Sequence, residues 1–430
     1  MTDQREHDIV LFGATGFVGR LTAAHLAEHA PGGTRIALAG RSRERLEQVR
    51  SSLPPAAAAW PLVVADAEDL TALRELARST RVVVTTVGPY QRYGKALVRA
   101  CAESGTHYCD LTGEILFARW SSDTWSDAAR RSGARIVHAC GFDSIPSDLG
   151  VWETARIAAD EGAGELTDTV LFVRRLKGGL SGGTIDSMRR QTIAARESVE
   201  DRRVINDPYG LSPDRAAEPT KSDRADTQAT PAPRGGRVRS VAGRVGSRLP
   251  VRRTEDGHWT GPFIMASYNT RIVRRSNALL GWAYGRAFRY HEVTDFGART
   301  KAPFAATGMT AGLLGLVGGL SFAPTRKVID RFLPDPGEGP DEETRVNGRF
   351  TMEVVAMTTS GTKYATTVAA QADPGYNGTA IMLGQSALCL AEDDLTSEGG
   401  VLTPAVAMGS ALIERLRAQD FTIETHRLTH

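Results

Sequence analysis

The chain has 430 residues, 41% of them hydrophobic and 24% charged, which is the balance of an ordinary globular protein and excludes a disordered or fibrous one. Its 52 basic against 50 acidic residues leave a formal charge of +2, so no global field favours nucleic acid or another polyanion. The length suits two or three structural units, and the four cysteines (Cys101, Cys109, Cys140, Cys389) form no C-x-x-C pair, which reads as reduced core thiols in a cytoplasmic protein with no metal site.

The polar start MTDQREHD leads straight into a strand pattern, without the apolar stretch of a secretory signal. From Ile9 to about Gly150, six β-rich runs follow: DIVLFGA, RIALAGR, PLVVADA, RVVVTTVG, HYCDLTG and RIVHACG. Helical stretches fit between them over Phe17 to His29, Arg43 to Ser52, Asp69 to Ser79, Gly94 to Ser104 and Ser122 to Ser132. Strands alternating with helices predict a parallel, doubly wound Rossmann sheet over 1–150, because parallel strands need crossover connections and bury both faces.

After Pro146 the pattern changes to a helix over Val151 to Glu161, a strand TDTVLFVRRL, the glycine-rich SGGT at 181–184 and a helix rich in Arg and Gln. These open a second, α+β domain over 151–375, built on a mixed or antiparallel sheet that takes in the paired strands GRFTMEVVAMT and KYATTVAAQ. Inside it, residues 211–250 lack periodicity and read as a flexible loop. The arginines there and just beyond (Arg234, Arg237, Arg239, Arg244, Arg248, Arg252, Arg253) read as a solvated loop or as a patch for an acidic partner or anionic lipid. Residues 302–325 carry no charged side chain, and the core of this stretch, 303–324, approaches the roughly 20 residues of a membrane-spanning helix. Gly308, Gly312, Gly315, Gly318 and Gly319 lower its hydrophobicity, so a buried helix, contact with a membrane surface and a true span stay open. Residues 376–430 read as a C-terminal helical segment, with helices from Asn377 to Leu390 and up to Arg417, packing back on the core.

The strongest local signal is Gly13-Ala14-Thr15-Gly16-Phe17-Val18-Gly19, directly after a strand and opening a helix. The first glycine permits the tight turn, Gly16 lets the backbone approach a pyrophosphate, and Gly19 allows close helix-to-strand packing; Thr15, Phe17 and Val18 lie at the helix N-terminus where the anion rests. At the end of the second strand, where NAD enzymes usually place an acidic residue, stand Arg41, Ser42 and Arg43, whose guanidinium and hydroxyl groups suit the extra 2′-phosphate of NADP. Asp66 reads either as an adenine neighbour or as the N-cap of the next helix, and Val87, Gly88 and Pro89 end the fourth strand where the nicotinamide ribose would lie.

Reduction of a polarised double bond also needs a proton donor. Tyr90, Lys95, Asp143 and Ser144 are the candidates, with Asp110 and Glu114 on neighbouring loops and Ser181 and Thr184 reaching in from the second domain. Tyr90 and Lys95 are one residue too far apart for the Tyr-x-x-x-Lys of short-chain dehydrogenases. His107 and His138 read as core or capping residues.

Taken together, GATGFVGR, the GPYxxxGxxxVxAC pattern at 88–101, HYCDLTGE, CGFDSIPSDLG, SGGT and the closing GGVLTPAxAMG resemble the saccharopine dehydrogenase-like oxidoreductases, nearly end to end. Within that group the chain looks most like the trans-acting enoyl reductase branch. The resemblance implies NADPH-dependent reduction of a carbon–carbon double bond in a lipid, polyketide or glycolipid intermediate, on a lipid-like or carrier-bound acyl substrate. It also implies peripheral contact with the plasma membrane, for which 303–324 is the candidate, and leaves room for a homodimer. The alternatives are a saccharopine-type amino-acid dehydrogenase, whose arginine pattern for substrate carboxylates is not found here, and a non-catalytic NADP-binding, lipid-associated protein.

Overall fold

The computed structural model describes residues 5–178, 182–219, 251–321, 343 and 347–429. Its first layer is a parallel sheet of β1 (His7–Phe12), β2 (Ile36–Gly40), β3 (Leu62–Val64), β4 (Thr80–Thr85), β5 (His107–Asp110) and β6 (Arg135–Val137). Between them run α1 (Phe17–His29), α2 (Arg43–Ser52), α3 (Leu70–Ser79), the short α4 (Tyr90–Tyr93), α5 (Lys95–Ser104) and α6 (Ile115–Ser132). The spatial order β6-β5-β4-β1-β2-β3 reverses direction at β1, so a crevice opens outside the carboxyl ends of β1 and β4. Ile9, Val10, Leu11 and Phe12 are all at most 1% exposed, as a strand covered on both faces requires. Local chemistry starts the helices: the Ser42 hydroxyl caps α2 and the Asp69 carboxylate caps α3 through the N–H groups of Thr71 and Ala72.

α7 (Ile145–Asp160) leads into the second sheet and begins earlier than the sequence pattern suggests, because Pro146 sits in the first turn, where its missing N–H costs nothing. α6 likewise starts well before Ser122. The second sheet is centred on the long β7 (Leu166–Lys177) and is mixed. β7 pairs in parallel with β10 (Arg289–Asp295) and antiparallel with β11 (Arg349–Thr358), which is followed by β12 (Lys363–Ala370). Beyond β10 lie β9 (Trp259–Pro262) and β8 (Arg252–Arg253). Burial alternates along β7 and β11, so one face of this sheet is covered, by α7 and by α10 (Ala266–Leu279), and the other is open. From β7 the chain also passes through α8 (Gly182–Glu197) and α9 (Val199–Asn206).

The C-terminal part is not only helical. α12 (Asn377–Glu392) packs on α1, β1, β4 and β5, but β13 (Gly400–Leu402) then pairs in parallel with β6 and extends the first sheet to seven strands. After α13 (Pro404–Arg417), β14 (Thr422–Leu428) pairs antiparallel with β12 and closes the second sheet. β13 has only three residues, starting on the second glycine of a pair and followed by Thr-Pro, and β14 is a polar edge strand, so neither carries the apolar period that marks a strand in sequence.

α11 (Ala302–Ser321) covers most of the uncharged stretch, and no described helix is long and apolar enough to cross a membrane. α11 buries Ala302, Ala306 and Thr310 and leaves Phe304 80% and Leu314 51% exposed. Residues 220–250, which hold most of the expected loop and its arginines, lie outside the described residues, as do 322–324 and Ser181.

Because β13 and α12 come from the far end of the chain, a fragment of residues 1–150 is expected to lack a cooperative unfolding transition in urea. A sharp transition for that fragment would show that the first sheet is stable without its C-terminal strand and helix.

Candidate cofactor and active site

The turn after β1 is built by backbone geometry. Gly13 has φ +92°, a region that side-chain-bearing residues avoid, and its N–H donates to the Ala39 carbonyl at 2.9 Å. A Cβ on Gly19 would stand 2.2 Å from the Gly13 carbonyl oxygen, so only glycine lets the first turn of α1 lie on the strand turn. Gly16 is the N-cap, makes no side-chain cap, and no acidic residue follows in the first turn. The first N–H groups of α1 are therefore left for a ligand anion at the positive end of the helix. A cavity of about 690 Å³ opens there, lined by Gly13, Thr15, Gly16, Phe17 and Val18. Gly19 acts through packing and does not line it. This bare-backbone cradle fits the diphosphate of a dinucleotide.

Along the β2–β3 side, Arg41 lines the cavity together with Arg45, which sequence reasoning passed over. Both are exposed and neither forms an ion pair among the described residues. Ser42 and Arg43 do not line the cavity; the Ser42 hydroxyl is committed to the N–H of Arg45 at 3.3 Å. Asp66 lines the cavity and accepts the Glu68 N–H at 2.9 Å, which leaves the N-cap of α3 to Asp69 and corrects the capping alternative for Asp66.

On the β4–β5 side, Val87, Gly88 and Pro89 line the cavity, and Thr86 donates to the Gly13 carbonyl at 3.1 Å, joining the two turns. Tyr90 also reaches the cavity wall, but its hydroxyl donates to the Thr85 carbonyl at 3.3 Å and accepts the Leu111 N–H at 3.2 Å. Burial pushes this phenol well above its ordinary value, so it stays protonated and is ill suited to giving up a proton. Lys95 does not line the cavity; its ammonium lies 5.2 Å from the Trp120 ring centre. Ser144 is fully buried, donates to Asn269 Oδ1 at 3.3 Å and also stays off the cavity. Lys95 and Ser144, named with Tyr90 and Asp143 as proton-donor candidates, thus stand off this cavity.

Four carboxylates line the cavity, and three are committed. Asp66 accepts Glu68, Glu114 accepts the Tyr90 and Gln91 N–H groups at 2.9 and 2.8 Å, and Asp186 accepts Arg189 and Arg190, each at 2.7 Å. Asp143 is the exception: half-buried, it has no hydrogen-bond or ion-pair partner among the described residues, and burial pushes its carboxyl up to about 7. Asp110 lies behind the site, accepting Tyr108, Thr112, His138 and Ala139, while His138 passes its other ring nitrogen to Ser121 at 2.8 Å. His107 accepts the Arg135 N–H at 3.1 Å, and the four cysteines are free and buried.

Leu176 and Met265 of the second domain, with Tyr376 and Thr379 at the start of α12, complete the wall, and the sequence singled out none of them. Tyr376 meets Phe17 edge-on at 5.0 Å, and Thr379 accepts the Phe142 N–H at 3.2 Å while donating to Pro374. The Arg-rich character of α8 was the one readable signal on this side. The Thr184 side chain lies outside the described residues.

A glycine turn under a helix N-terminus, arginines at the second strand and a separate sheet closing the crevice define a two-domain dinucleotide-dependent oxidoreductase. A model of the saccharopine dehydrogenase NADP binding domain matches residues 9–138. A Mycobacterium tuberculosis protein named as a trans-acting enoyl reductase is 48% identical over 429 residues, covering 99% of this chain and 98% of its own. The trans-acting enoyl reductase of Mycobacterium bovis is 46% identical over 432 residues, covering 99% of both chains. Apo saccharopine dehydrogenase (L-Glu forming) from Saccharomyces cerevisiae shares the fold, with a TM-score of 0.52 at 13% identity over 98% of this chain and 100% of that one. The chain belongs to the trans-acting enoyl reductase family of saccharopine dehydrogenase-like oxidoreductases, and its cofactor is NADP(H).

If the guanidiniums of Arg41 and Arg45 meet the 2′-phosphate, Arg41→Ala raises the Kd for NADPH by about 10- to 100-fold in a fluorescence titration and changes the Kd for NADH by less than about twofold. Equal losses on both cofactors would remove that role.

Proposed function

We propose that the protein is an NADPH-dependent enoyl reductase acting on an α,β-unsaturated acyl thioester carried by a separate synthase, in the assembly of a polyketide-type lipid or glycolipid. The relatives' name, trans-acting enoyl reductase, supports the reaction and the separate synthase. The apolar side chains Leu111, Phe142, Leu176 and Met265 in the cavity wall support an acyl substrate. In this reading Gly13, Thr15, Gly16, Phe17 and Val18 hold the diphosphate, Gly19 holds the helix against the turn, and Arg41, Arg45 and Asp66 take the adenosine end. Val87, Gly88 and Pro89 take the nicotinamide end.

The observation that carries the reading is the Asp143 carboxyl, the one cavity carboxyl among the described residues without a hydrogen-bond partner, with its affinity for a proton raised towards neutrality. NADPH, when bound, supplies a hydride to the β-carbon of the substrate. Protonated Asp143 then gives its proton to the α-carbon as the enolate electron pair collapses to the new C–H bond, and recovers a proton from solvent. Burial serves this step, because a carboxyl with an ordinary pKa would already be ionised at neutral pH. Tyr90 and Glu114 act as supports: the carboxylate of Glu114 ties the two backbone N–H groups that open α4, and the Tyr90 hydroxyl links the β4 and β5 loops.

A general acid titrating near 7 works only while protonated, so kcat should fall as pH rises through about 7. Asp143→Asn should lower kcat by roughly 10²- to 10⁴-fold and abolish that alkaline limb, with NADPH affinity unchanged. An unaltered pH profile in this variant would assign the proton to another group.

Peripheral contact with a membrane surface is favoured by α11, whose exposed Phe304 and Leu314 stand on a helix that begins next to Lys301. Flotation with anionic vesicles should be lost in Phe304→Ser/Leu314→Ser, and equal flotation of the variant and the parent would rule this helix out as the contact.

A further inference from the structure

Tyr268, in the first turn of α10, is buried, and its hydroxyl has no hydrogen-bond partner among the described residues. A buried phenol usually finds one, so this donor is unspent. The ring belongs to a small apolar cluster with Ile115 and Ala118 of α6, Ala139 beyond β6, and Ile272. The next residue, Asn269, accepts the Ser144 hydroxyl and donates to the Ser147 hydroxyl, both at 3.3 Å. The first turn of α10 is thereby pinned to the segment that carries Asp143. A Cβ on Gly113 would stand 3.6 Å from Asp143 Oδ2, so the carboxyl rests against the turn that leads into Ile115. Gln191 of α8 fixes that turn, donating to the Gly113 carbonyl at 3.1 Å and accepting the Ile115 N–H at 3.3 Å.

Burial, with the carboxylates of Asp110, Asp143 and Glu114 in electrostatic reach, raises the Tyr268 phenol well above its ordinary value, so it keeps its proton and acts as a hydrogen-bond donor. Of the three carboxylates, Asp110 already accepts Tyr108, Thr112, His138 and Ala139, and Glu114 accepts the Tyr90 and Gln91 N–H groups. Only Asp143 has its oxygens free among the described residues. The other charged or titratable groups nearby are engaged or buried. Arg275, on the same helix, donates to the Leu211 and Val401 carbonyls, Cys140 is a buried thiol, and Asp186, Arg189 and Arg190 are paired on the cavity wall. A neutral Asp143 needs little from its surroundings. Once it has given up its proton it is a buried carboxylate, and such a charge without a donor is costly.

We infer that Tyr268 is a positioning residue for the proton donor: its hydroxyl donates a hydrogen bond to the Asp143 carboxylate, directly or through one water, once Asp143 has protonated the α-carbon. This rests on the reading of Asp143 as the general acid. No atom passes from Tyr268 to substrate; the bond lapses when Asp143 recovers its proton from solvent. Tyr268 does not line the cavity and so acts from behind the wall, through Asp143. A hydrogen bond to an ionised carboxylate is about twice as strong as one between neutral groups, so the hydroxyl favours the charged form of Asp143 and lowers the proton affinity that burial alone would give. Removing the hydroxyl therefore raises it further.

Carbon NMR titration of the full chain, saturated with NADPH and labelled at its aspartate carboxyls, tests this without turnover, with the Asp143 signal identified by its loss in Asp143→Asn. Tyr268→Phe should move the Asp143 midpoint up by about one pH unit, a tenfold change in acidity. The alkaline limb of kcat should move up with it, while kcat on the plateau falls roughly 3- to 10-fold and KM stays within about twofold. Because the hydroxyl has no partner in the resting protein, the variant should keep a Tm no lower than the parent's. A merely structural role would lower the Tm and leave the midpoint where it was. An Asp143 midpoint that stays put or falls in Tyr268→Phe would overturn the inference whatever the rate does. An Asp143 midpoint in the ordinary carboxylate range in the unmodified protein would instead sink the general-acid reading, and the shift in Tyr268→Phe would still decide whether the hydrogen bond forms.

Discussion

The close approach of Gly19 to the Gly13 carbonyl is the constraint on which the site depends. A Cβ at position 19 would come within 2.2 Å of that oxygen, so a side chain there would lift α1 away from the end of β1. Holding the helix down points its first N–H groups at the crevice outside the carboxyl ends of β1 and β4, where the sheet order reverses. Thr86 reinforces the arrangement by donating to the same Gly13 carbonyl. The remaining features of the cavity are placed around that fixed helix end: arginines towards β2, the Val87–Pro89 loop towards β4, and the second domain opposite.

The second domain is not a detachable lid. α12 packs against α1 and the first sheet, β13 joins that sheet, and β14 returns to the second one. Buried Asp148 on α7 ties these parts together, accepting Ser276 of α10 and the Ala405 N–H at the start of α13. Residues from both sheets thus face one cavity with their backbones interlocked, which suits a reaction that needs a cofactor, a proton donor and a substrate in fixed relation. Burial is also what raises the proton affinity of Asp143.

Much of the first domain was legible because its signals are local. The bounds of α1 and α2 follow from the residues themselves, and the glycine turn and Arg41 announce a phosphate ligand by type and spacing. The site's other half was not legible, because it depends on contacts between residues far apart in the chain. Gln191 reaching Gly113, Thr379 reaching Phe142, and Arg135 holding Ser397 across 262 residues leave no periodic trace. Tyr90, Lys95, Asp143 and Ser144 all follow strand ends, so sequence could not separate them. Packing places them differently: Lys95 and Ser144 stand off the cavity, the Tyr90 hydroxyl is engaged, and Asp143 lines the cavity without a hydrogen-bond or ion-pair partner among the described residues. The three-residue β13 was hidden for a different reason, since three residues cannot display a period.

The central claim is that hydride and proton are added across a carbon–carbon double bond inside this cavity. It is tested most directly by incubating the full chain with an enoyl thioester and NADPH deuterated at the transferable C4 position, then locating the label by mass spectrometry. One deuterium is expected at the β-carbon of the saturated product, with the α-hydrogen drawn from solvent. Consumption of the thioester with no deuterium at that carbon, or no transfer to any enoyl thioester while NADPH remains bound, would contradict it.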